Sequence, residues 1–298
     1  MSATESPSSA PQPASGPPFL RLGPERPASP VILAVPHAGR DYPPALLAMA
    51  RAPLARLESL EDRHADLLVD DAVAAGATAF IATRPRSWID LNRDEREIDP
   101  GMIAPAPRRQ ELVASAKVRG GLGLLPRRLA GVGEIWNGRL PADELEARIA
   151  RDHRPWHAAL AAALDEARAR FGTALLLDCH SMPPLPPHAA ARPPQVVLGD
   201  RYGRTAPSLL LDRLTSLVEG AGLVCARNSP YAGGHTLDRQ AIPERSIFAI
   251  QVEIDRSLYL GPGLRDPGDG LGRMRALVAD MAAAMVEELT LPVSRAAE

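Results

Sequence analysis

The chain has 298 residues and 45% hydrophobic content, enough for one large α/β domain, or two small ones, around a sizeable core. Lys and Arg total 34 against 36 Asp and Glu, and the net charge of −2 offers nothing for nucleic acid or an anionic membrane surface to hold. Two cysteines, Cys179 and Cys225, lie far apart beside apolar runs, so a disulfide framework is not expected and a reducing cytoplasm is the default.

Residues 1–28 are rich in Pro, Ser and Ala, with neither a basic n-region nor an apolar h-region, and read as a disordered arm rather than a secretory signal. No apolar stretch approaches the roughly 20 residues that span a bilayer. One domain is expected over 29–290, with a tail at 291–298. Val31–Val35 (VILAV) predicts a strand buried on both faces that runs into Pro36, His37, Ala38 and Gly39. A short helix is expected at 45–51. A longer one follows over 54–74, with Leu57, Leu60, Leu67 and Leu68 inward, the acids Glu61, Asp62, Asp66, Asp70 and Asp71 on a solvated face, and Gly76 ending it. Strands follow at 77–82 and at 88–91 (WIDL). From Asp94 to Gly138 Gly, Pro and Arg abound with little periodicity, which predicts a long ordered excursion. Its GGLGLLP lacks the Lys and Ser/Thr of a phosphate loop.

The clearest helix is 141–170, where Leu145, Ile149, Trp156, Leu160 and Leu164 recur at helical spacing before Gly172. A strand at 174–178 then runs into Cys179 and His180. Further strands are expected at 196–198, 223–226 and 246–254, with helices at 208–219 and 271–289. The alternation predicts a single α/β domain with a central mixed, mostly parallel sheet flanked by helices.

Ligands of open α/β sheets bind beyond the carboxyl ends of the strands, where His37 and His180 both fall. Two neutral imidazoles there suit zinc, and a carboxylate is the natural third ligand: Asp41, Glu61, Asp62, Asp66 and Asp178 are candidates between which spacing does not choose. Glu253 sits in an otherwise apolar strand, where an unpaired carboxylate is costly unless a metal lies nearby. Arg84, Arg86, Asp90, Asn92 and Arg93 cluster around WIDL, and Arg suits a substrate carboxylate or a developing oxyanion. His64 has acidic neighbours, His188 lies in a Pro/Ala loop, and His235 follows two glycines, placed to line a pocket. His153 and His157 are one helical turn apart without the glutamate of an HExxH site, and read as packing or surface.

The succession VPHAGRDYP, LEDRHAD, PRSWIDLNRDEREIDP, LLLDCHSMP, NSPYAGGHT and IQVEIDRSLYL, spanning about residues 30 to 262, resembles the N-formylglutamate amidohydrolase family. That family is related to zinc carboxypeptidases and aspartoacylases. The resemblance implies a zinc-carboxypeptidase-like, phosphorylase/hydrolase-like fold with one zinc at the carboxyl rim of its sheet. It implies His37 and His180 as metal ligands with Asp62 third and Glu61 the alternative; Arg40 stands where carboxypeptidases carry the glutamate of HxxE. It implies Glu253 as general base and acid, Arg86 polarising the scissile carbonyl, Asn92 and Arg93 on a substrate carboxylate, and Tyr231, Gly234 and His235 around the pocket. The expected partner is a small N-acyl amino acid, foremost N-formyl-L-glutamate, with histidine breakdown as the family's usual setting. Another N-acyl substrate, a catalytically silent relative and a homo-oligomer all remain open at this level.

Overall fold

Seven strands form the central sheet of the computed structural model, which describes residues 16–129, 131–187 and 192–290. They are β1 (Phe19–Leu22), β2 (Val31–Val35), β3 (Thr78–Ala82), β4 (Ala174–Met182), β5 (Val196–Gly199), β6 (Cys225–Arg227) and β7 (Ile247–Asp255), ordered β1-β3-β2-β4-β7-β5-β6. The β3-β2-β4-β7 run is parallel throughout, as is the β5/β6 pair, while β1 and β5 join antiparallel. Strands such as VILAV are apolar on every residue because both faces of the sheet are covered.

Alternation along the strands sorts side chains onto the two faces. Val31, Leu33, Val35, Leu175, Leu177, Cys179, Val252 and Ile254 pack with the helices Ser208–Gly220 and Leu271–Thr290. Ile32, Ala34, Ala174, Leu176 and Ala249 pack on the other side with Trp156, Leu160 and Leu164 of the helix Arg154–Phe171, and with Trp88, Ile89 and Leu91. By the same parity Asp178, His180, Gln251 and Glu253 belong to this second face, at the end where the apolar packing stops.

Five expectations need correction. Strand β4 does not end at Asp178 but runs to Met182, because its polar residues stay paired in parallel with Gln251 to Asp255. The helix expected over 54–74 is broken: Leu54–Leu57 passes into a 3₁₀ turn, Glu61 and Asp62 turn inward, His64 adopts a left-handed conformation, and Asp70–Ala74 starts afresh. WIDL is no strand but a buried turn, with the Trp88 N–H donating to the Pro85 carbonyl and the Asp90 N–H to the Leu124 carbonyl. The helix expected over 141–170 contains a π turn at Ile149–His153. Within the supposed arm, Phe19–Leu22 pairs with β3, because Phe19 finds Phe80 and Trp156 to pack on. Residues 1–15, the tail at 291–298 and His188 lie outside the described residues. The 94–138 excursion is ordered by Leu124, Leu125, Ile135 and Trp136, all buried.

Candidate active site

His37 follows β2 directly, and the turn that carries it needs Gly39, whose added Cβ would sit 2.0 Å from the Arg84 carbonyl oxygen. His180 is on β4, beside Glu253 of β7 in the parallel register. Asp62 arrives from the break in the 54–74 segment, its N–H donating to the His37 carbonyl at 2.9 Å. These three buried residues converge: Asp62 Oδ2 lies 3.0 Å from His180 Nδ1 and 3.5 Å from His37 Nδ1. The far nitrogen of each ring is anchored too, His37 Nε2 donating to Asp90 Oδ1 at 2.8 Å and His180 Nε2 to Asp178 Oδ2 at 3.0 Å.

Metal-ligating histidines are built this way, with one nitrogen oriented by a buried carboxylate and the other facing the ion. The electrostatics agree. Burial would raise the Asp62 carboxyl, yet its hydrogen bonds to His180 and His37 hold it well below the carboxylate range. Burial would lower His180, yet the neighbouring Asp178 and Asp62 lift it well above the usual histidine range. The centre therefore attracts a positive charge between these residues, and the two-nitrogen, one-carboxylate donor set fits a zinc ion with further positions open. Other candidate acids are engaged elsewhere: Glu61 with Tyr42 and Arg63, Asp66 with Arg40, Asp41 with Arg84.

His37, Asp62 and His180 line a cavity of ≈ 440 Å³ together with Arg86, Asn92, Arg93, Tyr231, Gly234 and Glu253. Burial pushes the Glu253 carboxyl up to about 7, opposed by His180, and Gln251 Nε2 donates to it at 2.9 Å. Arg86 Nε donates to Asp90 Oδ2 at 2.8 Å, so Asp90 orients both His37 and Arg86. Asn92 Oδ1 accepts from the Thr236 N–H at 2.9 Å, and Arg93 donates to the Leu122 and Asn92 carbonyls at 2.9 and 2.6 Å. Gly234 must be glycine for closeness, since a Cβ there would stand 2.4 Å from Asn92 Oδ1.

His235 is the exception among the expected pocket residues. It is not among the residues lining the cavity; the backbone at Gly234 and Thr236 faces Asn92, and the His235 ring lies against His153 and His157. Among the lining residues without a role in the sequence reading, four carry a cation or an amide. Arg256 donates to Asp62 Oδ1 at 3.0 Å and to Ser181 Oγ at 3.0 Å, and Arg201 pairs with Asp238. Gln251 holds Glu253. Lys117, the single lysine of the chain, lines the cavity, and its ammonium makes no hydrogen bond or ion pair among the described residues. Burial and the guanidinium groups of Arg93 and Arg86 push its pKa down. Only its rarity marked Lys117 in the sequence, while Arg256 lies three residues past Glu253 inside the last recognised motif.

The chain is similar to solved and curated proteins. The N-formylglutamate amidohydrolase of Ralstonia eutropha JMP134 superposes with a TM-score of 0.84 at 32% identity, covering 91% of this chain and 98% of that one. The N-formylglutamate deformylases of Pseudomonas putida and Pseudomonas aeruginosa are 30% and 29% identical over 237 and 235 residues, 78% of this chain and 82% of each relative. A protein from Agrobacterium tumefaciens, 19% identical with a TM-score of 0.65 over 92% of this chain and 96% of that one, shares the fold. The family model for N-formylglutamate amidohydrolase matches residues 29–260, from just before β2 to the end of the last motif, and the chain belongs to that family.

Proposed function

We propose that this chain is a zinc-dependent amidohydrolase that converts N-formyl-L-glutamate and water to formate and L-glutamate. The observation that carries the reading is the convergence of His37 Nδ1 and His180 Nδ1 on one Asp62 oxygen, with Glu253 on the strand alongside. His37, Asp62 and His180 would hold the ion, which supplies Lewis acidity and lowers the pKa of water toward neutrality. The chain's own residues do the rest. Glu253, poised near 7, takes a proton from the attacking water and returns it to the leaving nitrogen as the C–N bond breaks. Arg86, held by Asp90, faces the charge that develops on the formyl oxygen.

Two carboxylates on the substrate match the cationic wall. Asn92 and Arg93 hold one, and the uncommitted ammonium of Lys117 is available to the other. Tyr231 and Gly234 border the cavity and narrow access to bulk water. A cytoplasmic setting and a role in histidine breakdown accord with this reading.

The test is formate release from N-formyl-L-glutamate by wild type, His180→Ala and Glu253→Gln, with bound zinc measured on each. Zinc lost from the first variant alone and activity lost from both is the expected result. A folded, zinc-loaded wild type that releases no formate from this substrate would refute the assignment, and a panel of other N-acyl amino acids would follow.

A further inference from the structure

Behind the cavity wall lies a second cluster of titratable groups that the reaction above does not use. His153, at the end of the π turn, His157 and His235 bring their rings to centroid separations of 4.5, 5.2 and 6.0 Å. One ring nitrogen from each lies within 4.8 Å of the other two. His153 Nε2 donates to the Arg93 carbonyl at 2.8 Å and His157 Nε2 to the Leu91 carbonyl at 2.9 Å. A carbonyl can only accept, so both rings carry a proton on Nε2, and each neutral ring presents its Nδ1 lone pair to the cluster. Orientation of one nitrogen by a backbone carbonyl is again the arrangement of ligating histidines.

Two of the three nitrogens left over have no hydrogen-bond partner among the described residues. His153 is fully buried and its Nδ1 has no hydrogen-bond partner among the described residues; the same holds for His235 Nε2. His157 Nδ1 accepts from the Gln240 amide at 3.2 Å, an amide that also donates to the His157 carbonyl at 3.2 Å and would keep that bond if Nδ1 were taken. Burial lowers all three, His157 well below the usual range and His235 to about 4, so a cation meets no competing protons at neutral pH. The surrounding charge is mixed. Glu95 Oε1 stands 3.6 Å from His153 Nδ1 while pairing with Arg154, Asp94 and Glu97 favour a cation near His235, and Arg239 opposes one.

We propose that His153, His157 and His235 form a second metal site, separate from the triad at the sheet rim, for one divalent first-row ion of the zinc class, with Glu95 within reach as fourth ligand. Imidazole suits such ions. Zinc–nitrogen bonds of about 2.0–2.1 Å require the three nitrogens to draw in to about 3.4 Å. The half-buried His235, next to Gly233 and Gly234, is the ligand able to make that closure. The ion would tie the helix Arg154–Phe171 to the loop before His235. Through the Leu91 and Arg93 carbonyls it would brace the wall that carries Asn92 and Arg93.

Zinc counting tests this on untagged protein stripped by chelator, titrated with zinc chloride and desalted before elemental analysis. Wild type should retain two zinc per chain, His153→Gln and His235→Gln one each, and the double variant Asp62→Ala/His180→Ala one. Cobalt(II) added to that double variant should give the intense visible bands of a four-coordinate site, a readout that does not depend on the glutamine variants folding. One zinc in wild type that survives both glutamine substitutions, or a double variant that binds neither zinc nor cobalt, overturns the proposal. A single wild-type zinc lost in His235→Gln but kept in the double variant would support this site and refute the triad instead, so the two assignments fail separately.

Discussion

Lys117→Met asks what the cavity reads in its substrate. Methionine keeps the aliphatic stem and removes the only charge in the cavity that lacks a partner among the described residues. A hydrogen bond to a charged group contributes ~1.5–3 kcal/mol net. The exposure of Lys117 to solvent and its two guanidinium neighbours argue for the lower part of that range, about 2 kcal/mol. At 1.36 kcal/mol per decade this is about a 30-fold fall in kcat/KM for N-formyl-L-glutamate. The side-chain carboxylate is remote from the scissile amide and bound alike in ground and transition state, so the loss should fall on KM and leave kcat little changed. Steady-state formate release measures it, with N-formyl-L-glutamine as the control: wild type should prefer the glutamate substrate and the variant should lose that preference. Removing one of three crowded cations should also leave the fold no less stable, which a thermal melt checks. Equal losses on both substrates, or a fall in kcat at constant KM, would refute the reasoning and place Lys117 with the chemistry.

Three further outcomes are expected. Glu253→Gln should lower kcat by ~10²–10⁴ with zinc retained, since the amide keeps the shape and the contact to Gln251 but cannot take a proton. In wild type the base works deprotonated, so kcat/KM rises with pH through the Glu253 pKa of about 7; a cation at the triad lowers that value, and the ascending limb must lie at or below pH 7 in a pH–rate profile. Asp90→Asn should weaken zinc binding by ~10–100-fold, because His37 Nε2 loses its carboxylate partner; competition with a chromophoric chelator measures this, and unchanged affinity would remove Asp90 from the metal centre. Gly234→Ala should cost ~1–3 kcal/mol in urea unfolding and raise KM, since its Cβ displaces Asn92; a variant as stable as wild type would show that Asn92 is not held from that side.

The three strands that build the site were legible because Val31–Val35 and the runs 175–177 and 247–250 are short and apolar on consecutive residues, as strands covered on both faces are. What misled was polarity inside the core. Asp178 and His180 look like the end of a strand, although they are paired and buried within one. Glu61 and Asp62 look like the wet face of a helix, although they turn inward at its break. The periodicity of the flanking leucines continues across that break, so composition cannot locate it. Lys117 lies in a segment without periodicity, and its place in the cavity follows from the docking of that segment on Arg93, which donates to the Leu122 carbonyl, a contact with no local signature.

The way the cavity is built also separates what this protein can change from what it must keep. His180, Asp178 and Glu253 stand on two strands locked in register at the centre of the sheet, where an insertion or a one-residue slip would dismantle the reaction itself. Lys117, Arg201 and Tyr231 reach the same cavity from outside the strands, and Lys117 comes from the exposed part of the 94–138 excursion, whose Leu124, Leu125, Ile135 and Trp136 anchor it to the core of that sheet face. A substitution at Lys117 is expected to alter which acyl amino acid is admitted, whereas the stretch 122–124, whose Leu122 and Leu124 carbonyls hold Arg93 and the Asp90 N–H, must stay as it is. Change of substrate is therefore expected from substitutions at such peripheral positions, and loss of hydrolysis from single substitutions on β4 and β7.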